Sequence, residues 1–137
     1  MSEPSWDEDL DTGVDSMDTE HRLQVSLVNT LEELLRRGDD PALTNRTLAQ
    51  LVDFTRVHFL SEELMMRLYA YPQHDAHKLE HGRLTDQVSV IQRHLAEGEA
   101  QPALELIEAL HRWLAGHIRT MDRAFALWCA RNGIDAR

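Results

Sequence analysis

The sequence has a single cysteine, Cys129, which rules out an internal disulfide and a thiolate metal cluster and fits a reducing compartment. Basic residues are scarce, 14 Lys plus Arg against 24 Asp plus Glu, a net charge of −10 with neutral His. A chain this acidic, with no basic cluster, is unsuited to nucleic acid or to an anionic membrane surface. No apolar run approaches the ~18 residues that a membrane span needs, and the opening MSEPSWDEDL is acidic, unlike a secretion signal. A cytoplasmic protein acting without nucleic acid or membrane is the expectation. Proline and glycine number only four and six, and they fall as punctuation between longer patterns. No strand pattern, internal repeat or low-complexity stretch competes with those patterns.

What remains is 42% hydrophobic and 28% charged across 137 residues, enough for one folded domain with a real core and no second one. Residues 1–17, with Pro4, Gly13 and several acids, read as an extended leader on which Trp6 and Leu10 can still pack down. From Asp18 or Thr19 as cap, His21, Gln24, Val28, Leu31 and Leu35 recur at helical steps until Gly38. Asp40-Pro41 starts a second helix with the stripe Leu48, Leu51, Thr55, His58, Glu62 and Met65. Tyr71-Pro72 breaks it. Asp75 can cap a third helix bearing His77, His81, Leu84, Val88, Ile91 and Leu95, closed by Gly98. Pro102 opens a fourth with Leu106, Leu110, Trp113, Leu114, His117 and Met121 inward. The expected fold is all-α: an antiparallel up-down-up-down four-helix bundle over about residues 18–132, preceded by the leader, in a single domain spanning 1–137.

Histidine, at eight residues, is the abundant exception. Each apolar seam is interrupted by groups able to bind metal: His21 on the first, His58 and Glu62 on the second, His77 and His81 on the third, His117 on the fourth. Positions four apart on a helix differ by only ~40° in azimuth, so His58/Glu62 and His77/His81 each aim two groups into the bundle. Any one of these motifs alone is weak, since a lone core histidine often bonds a backbone carbonyl. Four helices contributing to one seam form a different pattern. Buried imidazoles without partners cost about 1–3 kcal/mol each, and a metal removes that cost. Five imidazoles with carboxylates exceed a tetrahedral zinc site. Two octahedral ions sharing bridging carboxylates suit the set, and its imidazole content favours iron over manganese. His74, in a loop, and His94 and His111, without ligand partners at helical spacing, read as solvated.

The segments Met17-Asp18-Thr19-Glu20-His21, His58-Phe59-Leu60-Ser61-Glu62-Glu63, His77-Lys78-Leu79-Glu80-His81 and Trp113-Leu114-Ala115-Gly116-His117-Ile118, with Asp122 five beyond the histidine, resemble the hemerythrin family, specifically single-domain bacterial hemerythrins. The resemblance covers about residues 6–125. It implies reversible O₂ binding at a non-haem di-iron centre, for carriage, storage or delivery. His77, His81 and His117 would hold one iron, and His21 with His58 the other. Glu62 and Asp122 would bridge the two irons, beside a solvent-derived oxo or hydroxo bridge. The iron with two histidines would keep an open position for O₂, in a dry pocket made by Gln24, Phe59, Trp113, Leu114 and Ile118. Gln24 departs from the family, which usually carries Leu or Ile there; its amide either faces the open position or turns to a backbone group or neighbouring side chain. His117 and Asp122 lie ~140° apart on a regular helix, so a widened i→i+5 turn is expected near residues 116–122. A monomeric binding protein is the leading expectation. The alternatives are an oxygen or redox sensor acting through a partner protein, and a weak di-iron oxidase or peroxidase, with nitric-oxide chemistry also open.

Overall fold

The computed structural model describes residues 10–134. Helix α1 runs Asp15–Arg37, α2 Pro41–Leu68, α3 His74–Ala96 and α4 Ala100–His117; a π-helical turn, Ile118–Asp122, leads into α5, Arg123–Arg131. Helices adjacent in sequence pack side by side, and α1 closes the ring against α4. Every neighbouring pair is antiparallel. Rising numbers on α1 meet falling numbers on α2 (His21 with Glu62, Gln24 with Thr55) and on α4 (Glu32 with His111, Arg36 with Glu108). The four-helix bundle expected from the apolar periodicity is the fold.

Two helix ends follow simple capping chemistry. Asp40 caps α2 by accepting from the Leu43 amide at 3.0 Å, with Pro41 in the first turn. Gly38 ends α1 in the left-handed region, φ 66°, returning its N–H to Leu34. The start of α1 differs from expectation, because the helix begins at Asp15, inside the presumed leader, with Val14 at the cap position. Asp18 is no cap. Its carboxylate instead accepts from the Thr12 amide and hydroxyl, both at 2.8 Å, and from the Gly13 amide, fastening the preceding turn. Leu10 packs down as expected; Trp6 lies outside the described residues. His74 is the half-buried first residue of α3 and not a loop residue, with Gln73 at the cap position in place of Asp75.

The bundle interior is layered. One apolar cluster includes Val28, Leu31, Leu51, Leu84, Val88, Ile91, Ile107, Leu110 and Leu114. A second, smaller one joins Met17, Met66, Tyr71, Phe125, Ala126 and Cys129. On α4 the inward residues are Ala103, Ile107, Leu110, Leu114 and His117, so Leu106 and Trp113 sit on its flank, half-buried. Met66 takes the fully buried place expected for Met65. Between the two clusters lies a polar layer. Among the described residues no helix is long and apolar enough to cross a membrane.

Candidate metal centre

That layer gathers all seven expected side chains, each almost wholly buried: His21, His58, Glu62, His77, His81, His117 and Asp122. Helical spacing alone places six of them. Glu62 follows His58 by one turn on α2, His81 follows His77 by one turn on α3, and His21 and His117 occupy the seams of α1 and α4. Asp122 arrives by a different route. The π turn adds one residue between it and His117, which carries Asp122 onto the inner face and leaves Met121 half-buried. Met121, expected inward on regular helical spacing, is thereby displaced by its neighbour.

The donor atoms fall into two groups, His77, His81, His117 and Asp122 in one and His21, His58 and Glu62 in the other. The two carboxylates link them. Glu62 Oε2 lies 3.2 Å from His21 Nε2 and 3.1 Å from His58 Nε2, while its Oε1 lies 3.3 Å from His81 Nε2. Asp122 Oδ1 lies 2.8 Å from His77 Nε2 and 3.2 Å from His117 Nε2, while its Oδ2 lies 3.0 Å from His21 Nε2. Each carboxylate therefore directs one oxygen to each group.

Charge is distributed accordingly. Burial disfavours a charged ring at His21, but hydrogen bonds to Asp122 and Glu62 push its pKa up to about 9. His58 meets the same burial and rises to about 10 under the charge of Glu62 and its hydrogen bond to Glu20. Burial also works against both carboxylates, and Asp122 repels Glu62. The facing histidines outweigh these effects and hold both acids well below the usual carboxylate range. Two carboxylates opposite two protonated rings approximate neutrality, and the protons occupy sites where a cation can replace them.

Four donor atoms, His58 Nε2, His81 Nε2, His117 Nε2 and Glu62 Oε1, are buried near the facing carboxylates and rings but make no hydrogen bond of acceptable geometry. An unpaired buried polar atom costs about 1–3 kcal/mol, so four in one layer would be a heavy burden on an all-protein core. Imidazole nitrogen and carboxylate oxygen are donors for a first-row divalent ion, and so many of them exceed one tetrahedral site. The residues present fit two cations.

Two acids outside the expected set orient the rings. His58 Nδ1 donates to Glu20 Oε1 at 2.6 Å, and His81 Nδ1 donates to Glu63 Oε2 at 2.8 Å. A carboxylate on the far nitrogen fixes the ring's orientation and directs Nε2 inward. Glu20 and Glu63 adjoin ligand candidates in sequence but sit ~100° off their seams, so helical spacing alone gives them no role. Thr55 is on the inner stripe as expected, and it takes a role that spacing does not give: its hydroxyl accepts from Gln24 Nε2 at 3.2 Å. His94 and His111 are paired with Glu99 and Glu32, at 2.6 and 2.9 Å, and stand apart from the layer.

The walls are aromatic and aliphatic. Phe59 lies parallel on the His81 ring with centroids 3.7 Å apart, and Trp113 stacks on His117 at 4.9 Å. Phe59, Leu114 and Ile118 are buried in the larger apolar cluster, and Trp113 packs against its edge. Gln24 is buried as well, its amide bonded to the likewise buried Thr55.

Residues 12–129 match the family described as the hemerythrin HHE cation binding domain. The bacteriohemerythrin of Pseudomonas paraeruginosa is 33% identical over 125 residues, covering 91% of this chain and 80% of that protein. The myohemerythrin of Theromyzon tessulatum is 29% identical over 117 residues, covering 85% of this chain and 86% of that one. A crystal structure of wild-type hemerythrin superposes with a TM-score of 0.81 at 27% identity, covering 90% of this chain and 95% of its own.

Proposed function

Because the chain belongs to the hemerythrin family, we propose that it binds O₂ reversibly at a non-haem di-iron centre and acts as an oxygen-binding protein rather than an enzyme. The observation that carries the reading is the division of the Glu62 and Asp122 oxygens between two histidine groups, the arrangement expected of carboxylates that bridge two ions. His77, His81 and His117 would hold one iron and His21 with His58 the other, with a solvent-derived oxygen as third bridge.

Iron, when bound, supplies the reversible electron donation that O₂ binding requires. The protein's own part is to place donors unequally and to keep water out. The group containing His21 and His58 has fewer protein donors than the group containing His77, so it is the side with room for an exogenous ligand. Phe59, Leu114 and Ile118 exclude water from that layer, and Trp113 covers His117. Exclusion matters because proton access converts reversible binding into net oxidation of the metal. The donor set of five imidazoles and two carboxylates gives little anionic charge to stabilise highly oxidised iron, which favours binding over oxygenase chemistry. Air exposure of the reduced, iron-loaded protein tests the assignment. A carrier holds its oxygenated spectrum for hours and releases O₂ under vacuum, whereas a reactive enzyme or a sensor oxidises quickly.

A further inference from the structure

Gln24 lies one turn beyond His21 on α1, and Thr55 lies one turn before His58 on α2. The antiparallel register brings the two together, so their hydrogen bond forms the layer next to the His21–His58 ring pair, whose centroids are 5.0 Å apart. One further turn along the same helices the buried residues are Val28 and Leu51, both apolar. Gln24 is only 1% exposed, and its Oε1 is buried with no hydrogen-bond partner. An amide has two N–H donors and one carbonyl acceptor, and here a single bond, to Thr55, is made. A buried amide left this incompletely paired is out of place in an apolar wall.

We propose that Gln24, its amide plane pinned by Thr55, is the hydrogen-bonding residue of the ligand pocket and favours ligands that carry negative charge over neutral ones. The inference rests on the di-iron reading above. Gln24 and Thr55 belong to the same two helices as His21 and His58, the side of the centre with fewer protein donors. Gln24 Nε2 carries a second N–H besides the one bonded to Thr55, and on this proposal that donor serves a ligand there. A hydrogen bond to an anionic acceptor is stronger than one to a neutral acceptor, so the gain falls on charged ligands. Thr55 is a positioning residue in this account.

Azide, a small anion, is the probe, titrated into the iron-loaded, oxidised protein for the wild type, Gln24→Met and Thr55→Val. Methionine keeps the length and flexibility of glutamine without its hydrogen bonds. Azide affinity is expected to fall about tenfold in Gln24→Met and by a smaller factor in Thr55→Val, where the amide loses its pin. Thermal unfolding of the iron-free chains gives an independent readout. Removing an unpaired acceptor predicts a Tm for Gln24→Met at or above that of the wild type, and Thr55 can turn its hydroxyl to its own helix. Equal azide affinities in wild type and Gln24→Met would overturn the proposal; a lowered Tm with unchanged affinity would assign the amide to packing alone. Iron content, measured before azide is added, separates the two failures: a wild-type chain that takes up no iron refutes the di-iron reading, and this inference with it.

Discussion

Asp122 follows His117 by five residues, yet its Oδ1 lies 3.2 Å from His117 Nε2 because the turn between them is π-helical. The same oxygen pair also reaches His77 and His21. Asp122→Asn keeps the shape and removes the charge that this geometry shares among three rings. Iron content per chain is expected to drop from two to one or none, read by elemental analysis after desalting. Retention of two irons would remove Asp122 from the bridge.

Glu63 and Glu20 act through the histidines they orient. Glu63→Gln is expected to weaken iron retention about tenfold or more, as loss of such partners does. The effect of Glu20→Gln should be smaller and more dependent on salt, because the Glu20 side chain is 41% exposed and that of Glu63 only 15%. Competition with a ferrous chelator at two ionic strengths checks both. Unchanged retention in Glu63→Gln would show that packing by Phe59 suffices to orient His81.

The iron-free chain should respond to pH in a definite direction. His21 and His58 have folded-state values of about 9 and about 10 against an ordinary 6.5. Their protonated rings stabilise the fold fully below the ordinary value, and that contribution is lost as pH rises through about 9 to 10. Melts of the iron-free protein should give a lower Tm at pH 10 than at pH 7. Iron uptake expels the same protons, so it should strengthen over the same interval and release protons into weakly buffered solution. A Tm that climbs with pH would contradict the charge assignment.

Phe125, three residues beyond Asp122, is fully buried with Tyr71, Met17 and Met66 in the smaller apolar cluster. Phe125→Ala should cost about 3–5 kcal/mol by chemical denaturation. It should also loosen iron binding, since this cluster holds α5 and with it the end of the π turn. A large stability loss with unaltered iron affinity would show that the turn is held from the α4 side.

The periodicity of His21, Val28 and Leu31 or of His77, His81 and Leu84 was readable because one helical face carries both core and ligand candidates. Spacing alone misplaces Leu106, because the inner face of α4 runs Ala103, Ile107, Leu110, Leu114 and His117, and Met121, because the π turn puts Asp122 inward instead. Only the pairing of His117 with Asp122, drawn from family resemblance, pointed to that turn. The start of α1 is not legible in the sequence because Asp18 has the chemistry of a cap but uses it on Thr12 and Gly13. Glu20, Glu63 and Thr55 gained roles only when the antiparallel register placed them opposite His58, His81 and Gln24. That register is a property of tertiary packing, which local spacing does not encode.

On the proposed reading, two groups of histidines joined by Glu62 and Asp122 would hold a pair of irons that binds one O₂. Anaerobic loading with ferrous iron, followed by titration with O₂ in the visible and near-ultraviolet, tests it most directly. The account predicts two irons per chain, a spectral change saturating at one O₂ per pair, and recovery of the starting spectrum when O₂ is removed. One iron or none per chain, or a spectrum that never returns, would contradict it.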